Sequence, residues 1–384
     1  MARLDQICSL NMGQSPDSSS YNENGEGMPF FQGNADFGKV HPRVRVWCSA
    51  PTKVAHAGDV LISVRAPIGA LNIADRECCI GRGLAALTVN EELCNKDYLW
   101  YAIASKVDEL NSKGTGSTFK AISKSVLAET EIPLPTLGEQ QGVARQLAKV
   151  DELIALRKEQ LAKLDQLVKS RFIELFGDPE TNPMGWKRIT VQQAISEKVI
   201  DKPLDGNHGG KHPKTSDYVP TGVPFIMANN LVDGHVDLEH CAFISKQQAD
   251  SLDKGFAKDG DVLITHKGTI GRTAILHCSY PYIMLTPQVT YYRPIAGIIP
   301  EYLKAYFDTD YFQGIIGNIA SVGSTRAYIG ITAQQELPLL IPAMEKQKEY
   351  ASFVKQTDKS KLAIQQSLDK LELLKKSLMQ EYFG

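Results

Sequence analysis

The 384-residue sequence lacks any run of eighteen apolar residues, and its first twenty residues hold no apolar signal-peptide core. A soluble, cytoplasmic protein is therefore expected, with no membrane span. Its seven cysteines are odd in number and scattered, and no two form a CxxC pair. Reduced thiols fit that pattern, whereas a disulfide framework or zinc ribbon does not. A GxxxxGK[ST] phosphate loop is also missing, which excludes that mode of ATP binding. Charge of one sign is lacking too, the net charge being −2. Residues 1–136 carry 13 Lys+Arg against 15 Asp+Glu, and residues 178–343 carry 14 against 17. Any nucleic-acid contact by these parts must therefore come from local basic patches. The apolar share of 43% is high enough to build real cores.

What is present is a long helical pattern. Over residues 137–177, apolar residues fall at Val143, Leu147, Val150 and Ile154, then at Leu161, Leu164, Val168 and Leu175. The steps alternate between four and three, a heptad seam interrupted where Arg157 and Arg171 take core-register places. A single stripe of that length needs a partner helix, and residues 344–384 supply one. LAKLDQLVKSRFIELFG in the first stretch faces LDKLELLKKSLMQEYFG in the second at an offset of 207, so that Leu161 matches Leu368 and Leu164 matches Leu371. The second seam runs through Ile364, Leu368, Leu371 and Leu378, with Thr357 and Lys361 interrupting it. Two heptad helices at one period imply an internal duplication.

The segments before each helix repeat as well. Pro29-Phe30-Phe31 returns as Pro224-Phe225-Ile226, and Gly58-Asp59-Val60-Leu61-Ile62-Ser63 returns as Gly260-Asp261-Val262-Leu263-Ile264-Thr265. Ile68-Gly69 returns as Ile270-Gly271, and Gly116-Ser117-Thr118 as Gly323-Ser324-Thr325. Val44-Arg45-Val46-Trp47 alternates as a half-buried strand would, and residues 96–110 read as one amphipathic helix. The loops between landmarks differ, and His208-Gly209-Gly210-Lys211-His212-Pro213-Lys214 has no counterpart in the first half. The expected organisation is α+β: mixed α/β domains at 1–136 and 178–343, separated by antiparallel coiled-coil helices at 137–177 and 344–384, with pseudo-two-fold symmetry. Kept scaffold with changed loops is what two readers of different targets would show.

This ordered set resembles the specificity subunit of type I restriction–modification systems. It is carried by Gly58-Asp59-Val60-Leu61-Ile62, by Ile132-Pro133-Leu134-Pro135 followed by Glu139-Gln140, and by Leu175-Phe176-Gly177-Asp178-Pro179 with Gly185-Trp186. The second copy departs at Lys346-Gln347, which stands where Glu139-Gln140 stood. The resemblance implies two target recognition domains and no catalysis in this chain. It implies double-stranded DNA, two adenine-N6 methyltransferase subunits and endonuclease/translocase subunits as partners, with S-adenosylmethionine, ATP and Mg carried by those subunits. Consistently, the sequence has no Asn/Asp-Pro-Pro-aromatic motif, since Asp178-Pro179-Glu180 lacks the second proline and the aromatic. A helix over 139–176 would be about 57 Å long at 1.5 Å per residue. Packed against its copy, it would space two half-sites of one bipartite, asymmetric target. A protein-interaction scaffold that reads no DNA is the alternative, favoured by the near-neutral charge.

The candidate DNA contacts are basic or hydroxyl residues near the loops. Arg43 and Arg45 alternate with Val44 and Val46, so a strand there points both to one face; that face is either solvated or turned to DNA. Ser117, Thr118, Lys120 and Lys124 belong to or follow the Gly-rich loop, and Ser324, Thr325 and Arg326 stand at its repeat. Lys211, Lys214 and Lys267 complete the set. Gly81-Arg82-Gly83 is either a phosphate cradle or a plain tight turn. His208 and His212 stand four apart but among glycines and beside Pro213, and no HExxH follows, so no metal site is expected.

Overall fold

A computed structural model describes residues 1–116, 120–321 and 327–384. Two helices of 40 residues each, Leu137–Phe176 and Met344–Phe383, are its longest elements. The chain divides into two compact units. Residues 1–160 with 364–384 form the first, and residues 161–363 form the second. Each unit thus holds one globular part, the opening of the long helix that follows it, and the close of the other.

In the first unit a four-stranded antiparallel sheet has the order Cys8–Met12, Leu84–Val89, Val60–Ser63, Leu71–Ile73. A five-stranded sheet has the order Tyr21–Asn22, Val46–Cys48, Met28–Phe31, Cys78–Ile80, Val54–Ala55, with one parallel pair that sets Phe30 beside Cys79 and Phe31 beside Ile80. Ala2–Arg3 pairs with Glu131–Ile132. The second unit repeats this frame. Its first sheet runs Leu204–Asp205, Val289–Tyr292, Val262–Lys267, Thr269–Ile275, and its second runs Ala242–Ile244, Tyr218–Ile226, Ile283–Leu285, Phe256–Ala257. The parallel pair recurs in the same place, Phe225 beside Met284 and Ile226 beside Leu285. Lys187–Thr190 pairs with Pro338–Ile341.

The repeated Gly-Asp turns show why these sequences fold alike. Gly58 and Gly260 have φ of +91° and +85°, a region costly to residues with a Cβ. Each donates its N–H across the turn, to Ala74 O at 2.8 Å and to Leu276 O at 2.9 Å. The following Asp59 and Asp261 are buried, and their carboxylates accept the N–H of His56 and Lys258 at 2.8 Å. A strand of apolar residues then enters the core, where fully burying a Val, Leu or Ile contributes about 1.5–3 kcal/mol.

Two expectations need correction. Residues 96–110 form two helices, Lys96–Ser105 and Val107–Ser112. The first is capped by Asn95, which accepts the Tyr98 N–H at 3.0 Å. The second is held where Asn111 donates to Ile68 O at 3.1 Å, a long-range tie that helical periodicity does not encode. Arg43 and Arg45 also precede the strand, which begins at Val46. Their segment is irregular because Asp36 O accepts the Arg43 N–H at 2.8 Å and the Asp36 carboxylate pairs with Arg45.

The long helices pack antiparallel within each unit. In the first, Tyr382 donates to Gln146 at 2.7 Å, Lys375 pairs with Asp151 at 2.6 Å and Lys158 with Glu372 at 2.9 Å. In the second, Lys361 pairs with Asp165 at 2.6 Å and Arg171 with Glu349. Leu147, Val150, Leu175 and Leu368 are buried. Val143, Ile154, Leu161, Leu164, Val168, Ile364, Leu371 and Leu378 are half-buried. The polar seam residues have partners: Arg157 donates to Ser367 at 3.2 Å, and Thr357 to its own helix at Phe353 O.

A buried glutamine ties each globular part to its helix. Gln140 accepts the Asn95 N–H at 2.8 Å and donates to Pro135 O at 2.8 Å and Leu93 O at 3.1 Å. Gln347 accepts the Ile299 N–H at 3.0 Å and donates to Pro342 O and Gly297 O, both at 2.9 Å. Both are fully buried. Glu139 instead serves a capping box with Thr136, whereas Ala343 stands at the repeat of Thr136 and has no hydroxyl, so the second helix has no such box for residue 346 to complete. Among the described residues, no helix is long and apolar enough to cross a membrane.

Candidate nucleic-acid interface

The strand after each Gly-Asp turn delivers a cation to the surface. Val60–Ser63 continues through Val64 to exposed Arg65, and Val262–Lys267 ends on exposed Lys267. Val64 donates its N–H to Gly83 O and His266 donates its own to Gln288 O, each at 2.9 Å, so the two strands leave the sheet alike. Arg65 then forms an isolated bridge with Ala121, and Lys267 forms one with Tyr328. Arg65 and Lys267 therefore occupy one position in the two copies. The Lys267 Nζ lies 6.0 Å from the centre of the Tyr328 ring.

The sequence had singled out Lys267 but missed Arg65. Continuing the repeat two residues past Ser63 and Thr265 would have found it. Lys120 is brought beside Arg65 by the backbone, since Lys120 O accepts the Ala66 N–H at 3.0 Å. Exposed Lys124 opens the short helix Lys124–Ala128, which buries Leu127. Ser117, Thr118, Ser324, Thr325 and Arg326 lie outside the described residues. Arg45 is engaged by Asp36, so it is less available than its neighbour Arg43.

In the second unit, the segment without a counterpart folds over the sheet edge. His208 shares a 2.6 Å hydrogen bond with the buried Asp205, which also pairs with Lys254. Burial alone would raise the Asp205 pKa, but the bonds from Lys254 and His208 outweigh it and hold the carboxyl below its usual value. Lys211 is turned onto Asp253, while exposed Lys214 precedes the short turn Thr215–Asp217. A cavity of about 340 Å³ opens here, lined by His208, His212, Tyr218, Lys267, Thr286 and Gln288 among others. Lys267 and the segment carrying Lys211 and Lys214 thus meet at one place. His208 is committed to Asp205, and the described residues hold no cluster of His, Cys, Asp and Glu able to bind a metal.

The Gly81-Arg82-Gly83 segment is a packing turn. Gly81 donates to Phe31 O at 2.8 Å and Gly83 to Gln32 O at 3.2 Å, so neither N–H is free for phosphate. A Cβ on Gly81 would approach the Gln32 side chain to 2.7 Å, and one on Gly83 would reach Gln32 O at 2.5 Å, which is why glycine stands at both.

The family model of the type I restriction modification DNA specificity domain matches residues 1–166 and 204–373. The chain belongs to that family. Among its relatives, a putative type I restriction enzyme MjaX specificity subunit of Methanocaldococcus jannaschii is 42% identical over 158 residues, covering 41% of this chain and 37% of the relative. The EcoBI specificity subunit of Escherichia coli is 22% identical over 333 residues, covering 78% of this chain and 65% of the relative. The match thus spans about a third of one relative's length and just under two thirds of the other's. A crystal structure of the type I S subunit from M. genitalium superposes with a TM-score of 0.61 at 16% identity, covering 100% of this chain and 95% of that one. The fold is therefore that of type I specificity subunits: mixed α/β, with a duplicated recognition domain and long helices.

Proposed function

We propose that this specificity subunit reads a bipartite DNA target, one half-site per globular domain, and carries methyltransferase and endonuclease subunits on its helices. The carrying observation is that one backbone frame, with the same four-stranded sheet order and the same parallel pair in both copies, bears divergent loops at the same edge of each copy. A frame is needed to hold a reader, and loops decide what it reads. The working segments are 1–136 and 178–343 as readers, with 137–177 and 344–384 as spacers. Chemistry then resides in partner polypeptides in the cytoplasm, which bring S-adenosylmethionine, ATP and Mg.

Replacing residues 1–136 with the first domain of another family member tests this in the assembled complex. One half-site should change and the other stay; a change in both would refute independent reading. Deleting one heptad, residues 153–159, should alter the spacing between half-sites, and an unchanged spacing would sink the role of the helices as a ruler. The purified chain alone should show no methylation with S-adenosylmethionine.

The near-neutral charge supports a second reading, a scaffold whose domains touch no DNA. Salt separates the two. DNA binding whose log K falls steeply with log [salt] reports several phosphate contacts, at about 0.9 per contact, and excludes the scaffold.

A further inference from the structure

The cavity of the second unit and its equivalent in the first occupy the same place and hold opposite chemistry. The register Phe31–Ile80 corresponds to Ile226–Leu285, so Thr286, Gln288 and Met227 stand where Gly81, Gly83 and Gln32 stand. In the first unit the place is closed. Gln32 lies against Gly81, and its amide bonds Ser15 Oγ at 2.9 Å, while the Arg82 N–H donates to the same hydroxyl at 3.3 Å.

In the second unit it is open, and polar groups inside it lack partners. Thr286 is 2% exposed, yet its Oγ1 has no hydrogen bond, and the buried Nδ1 of His212 has none either. Burial lowers the proton affinity of His212, so the ring is neutral, with one nitrogen a donor and the other an acceptor. Gln288 uses its carbonyl on the Ala228 N–H at 3.4 Å, which leaves its amide free to donate. A phosphate offers acceptors only, whereas a hydroxyl, a neutral imidazole and an amide together call for donors as well as acceptors. A base edge offers both donors and acceptors.

Lys267 and Arg65 behave differently. The position holds a cation in both copies, although the neighbouring loops diverge. Neither side chain is ion-paired among the described residues. What two readers of different sequences share is the phosphate backbone, which carries no sequence information of its own.

We propose that the second domain reads one base of its half-site in this cavity through His212, Thr286 and Gln288, and that Arg65 and Lys267 are matched phosphate contacts that set each domain on the duplex. This rests on the bipartite DNA-reading proposal above.

The test uses the complex of the full chain with its methyltransferase subunits, and measures binding to a library varied at every target position. Thr286→Val and Gln288→Leu should each relax discrimination roughly tenfold or more at one position of the second half-site and at none of the first. Thr286→Ser, which restores the hydroxyl, should keep the original preference. Arg65→Ala and Lys267→Ala should weaken binding to all sequences alike, each lowering the salt slope by about 0.9. Unaltered discrimination in folded Thr286→Val and Gln288→Leu complexes would overturn the base-reading site. A shifted sequence preference in Lys267→Ala would overturn the phosphate assignment. An unsubstituted complex that prefers no sequence would overturn the DNA-reading proposal itself, and this inference with it.

Discussion

The first and second globular domains share their strand frame but place opposite chemistry at one point of the core. In the first, Met12 pairs with Ala85 across the sheet, and Val64 follows the neighbouring strand. In the second, the corresponding residues are Asp205, Thr290 and His266. The Thr290 hydroxyl shares a 2.5 Å hydrogen bond with His266 Nδ1 and accepts from Gln334 at 3.2 Å, and Gln334 in turn accepts from Tyr292 at 3.0 Å. Leu127 occupies the place of Gln334 in the first domain. Backbone pairing therefore fixes the frame, and a buried site in it tolerates either apolar packing or a polar network, here one that leaves His266 Nε2 without a hydrogen bond, 3.8 Å from the Asp205 carboxylate. The network belongs to the domain that carries the extra His208–Lys214 segment, since His208 is one of the groups holding Asp205.

The aromatic junctions differ too. Phe176 packs against Tyr302 at 4.7 Å, Phe172 at 4.9 Å and Tyr350 at 5.6 Å, whereas among the described residues its repeat partner Phe383 has one ring contact, Tyr98 at 5.2 Å. Phe176→Ala should cost about 3–5 kcal/mol in the second unit's unfolding. Phe383→Ala should cost roughly 1 kcal/mol less in the first, because fewer ring pairs are lost. Calorimetric resolution of the two transitions checks this, and equal costs would break the contrast.

Acid should distinguish the units next. Burial pushes the His266 pKa down from 6.5 to about 4. Because the unfolded chain takes up the proton first, His266 contributes its full stability above pH 6.5 and loses it as pH falls towards 4. About 3 kcal/mol is at stake. Denaturant titrations across that window should show the second unit weakening, and His266→Val should remove this component. An unchanged pH profile in the variant would contradict the assignment.

Smaller effects should instead be equal. Gln140→Leu and Gln347→Leu each strand two carbonyls and an amide N–H, and each should cost about 2 kcal/mol in its own unit. Unequal losses would show that the two ties are not equivalent. Lys375→Ala and Lys361→Ala remove half-exposed ion pairs between the long helices, and each should cost less than about 1 kcal/mol in chemical denaturation.

Much of the fold is legible in the sequence because its signals are local. The heptad step of Leu147, Val150 and Ile154, the Gly58-Asp59 and Gly260-Asp261 turns and the 207-residue offset need no knowledge of distant contacts. The aromatic residues Phe172, Phe176 and Tyr350 escaped the heptad reading, because they pack on a globular domain rather than only on the facing helix. Gln140 and Gln347 were visible as a repeated position, but their role depends on carbonyls more than forty residues away. The candidate interface was the least legible part. Its cavity joins His212, Lys267, Thr286 and Gln288 from three separate segments, and Arg65 carries no local mark beyond its place in the repeat.

Reading of two half-sites by the two domains of one chain is tested most directly by sequencing the methylated sites in host DNA with and without this gene. The expected result is a gene-dependent set of methylated adenines sharing one asymmetric motif, two short half-sites separated by unread bases. A continuous motif, or methylation unchanged by loss of the gene, would contradict it.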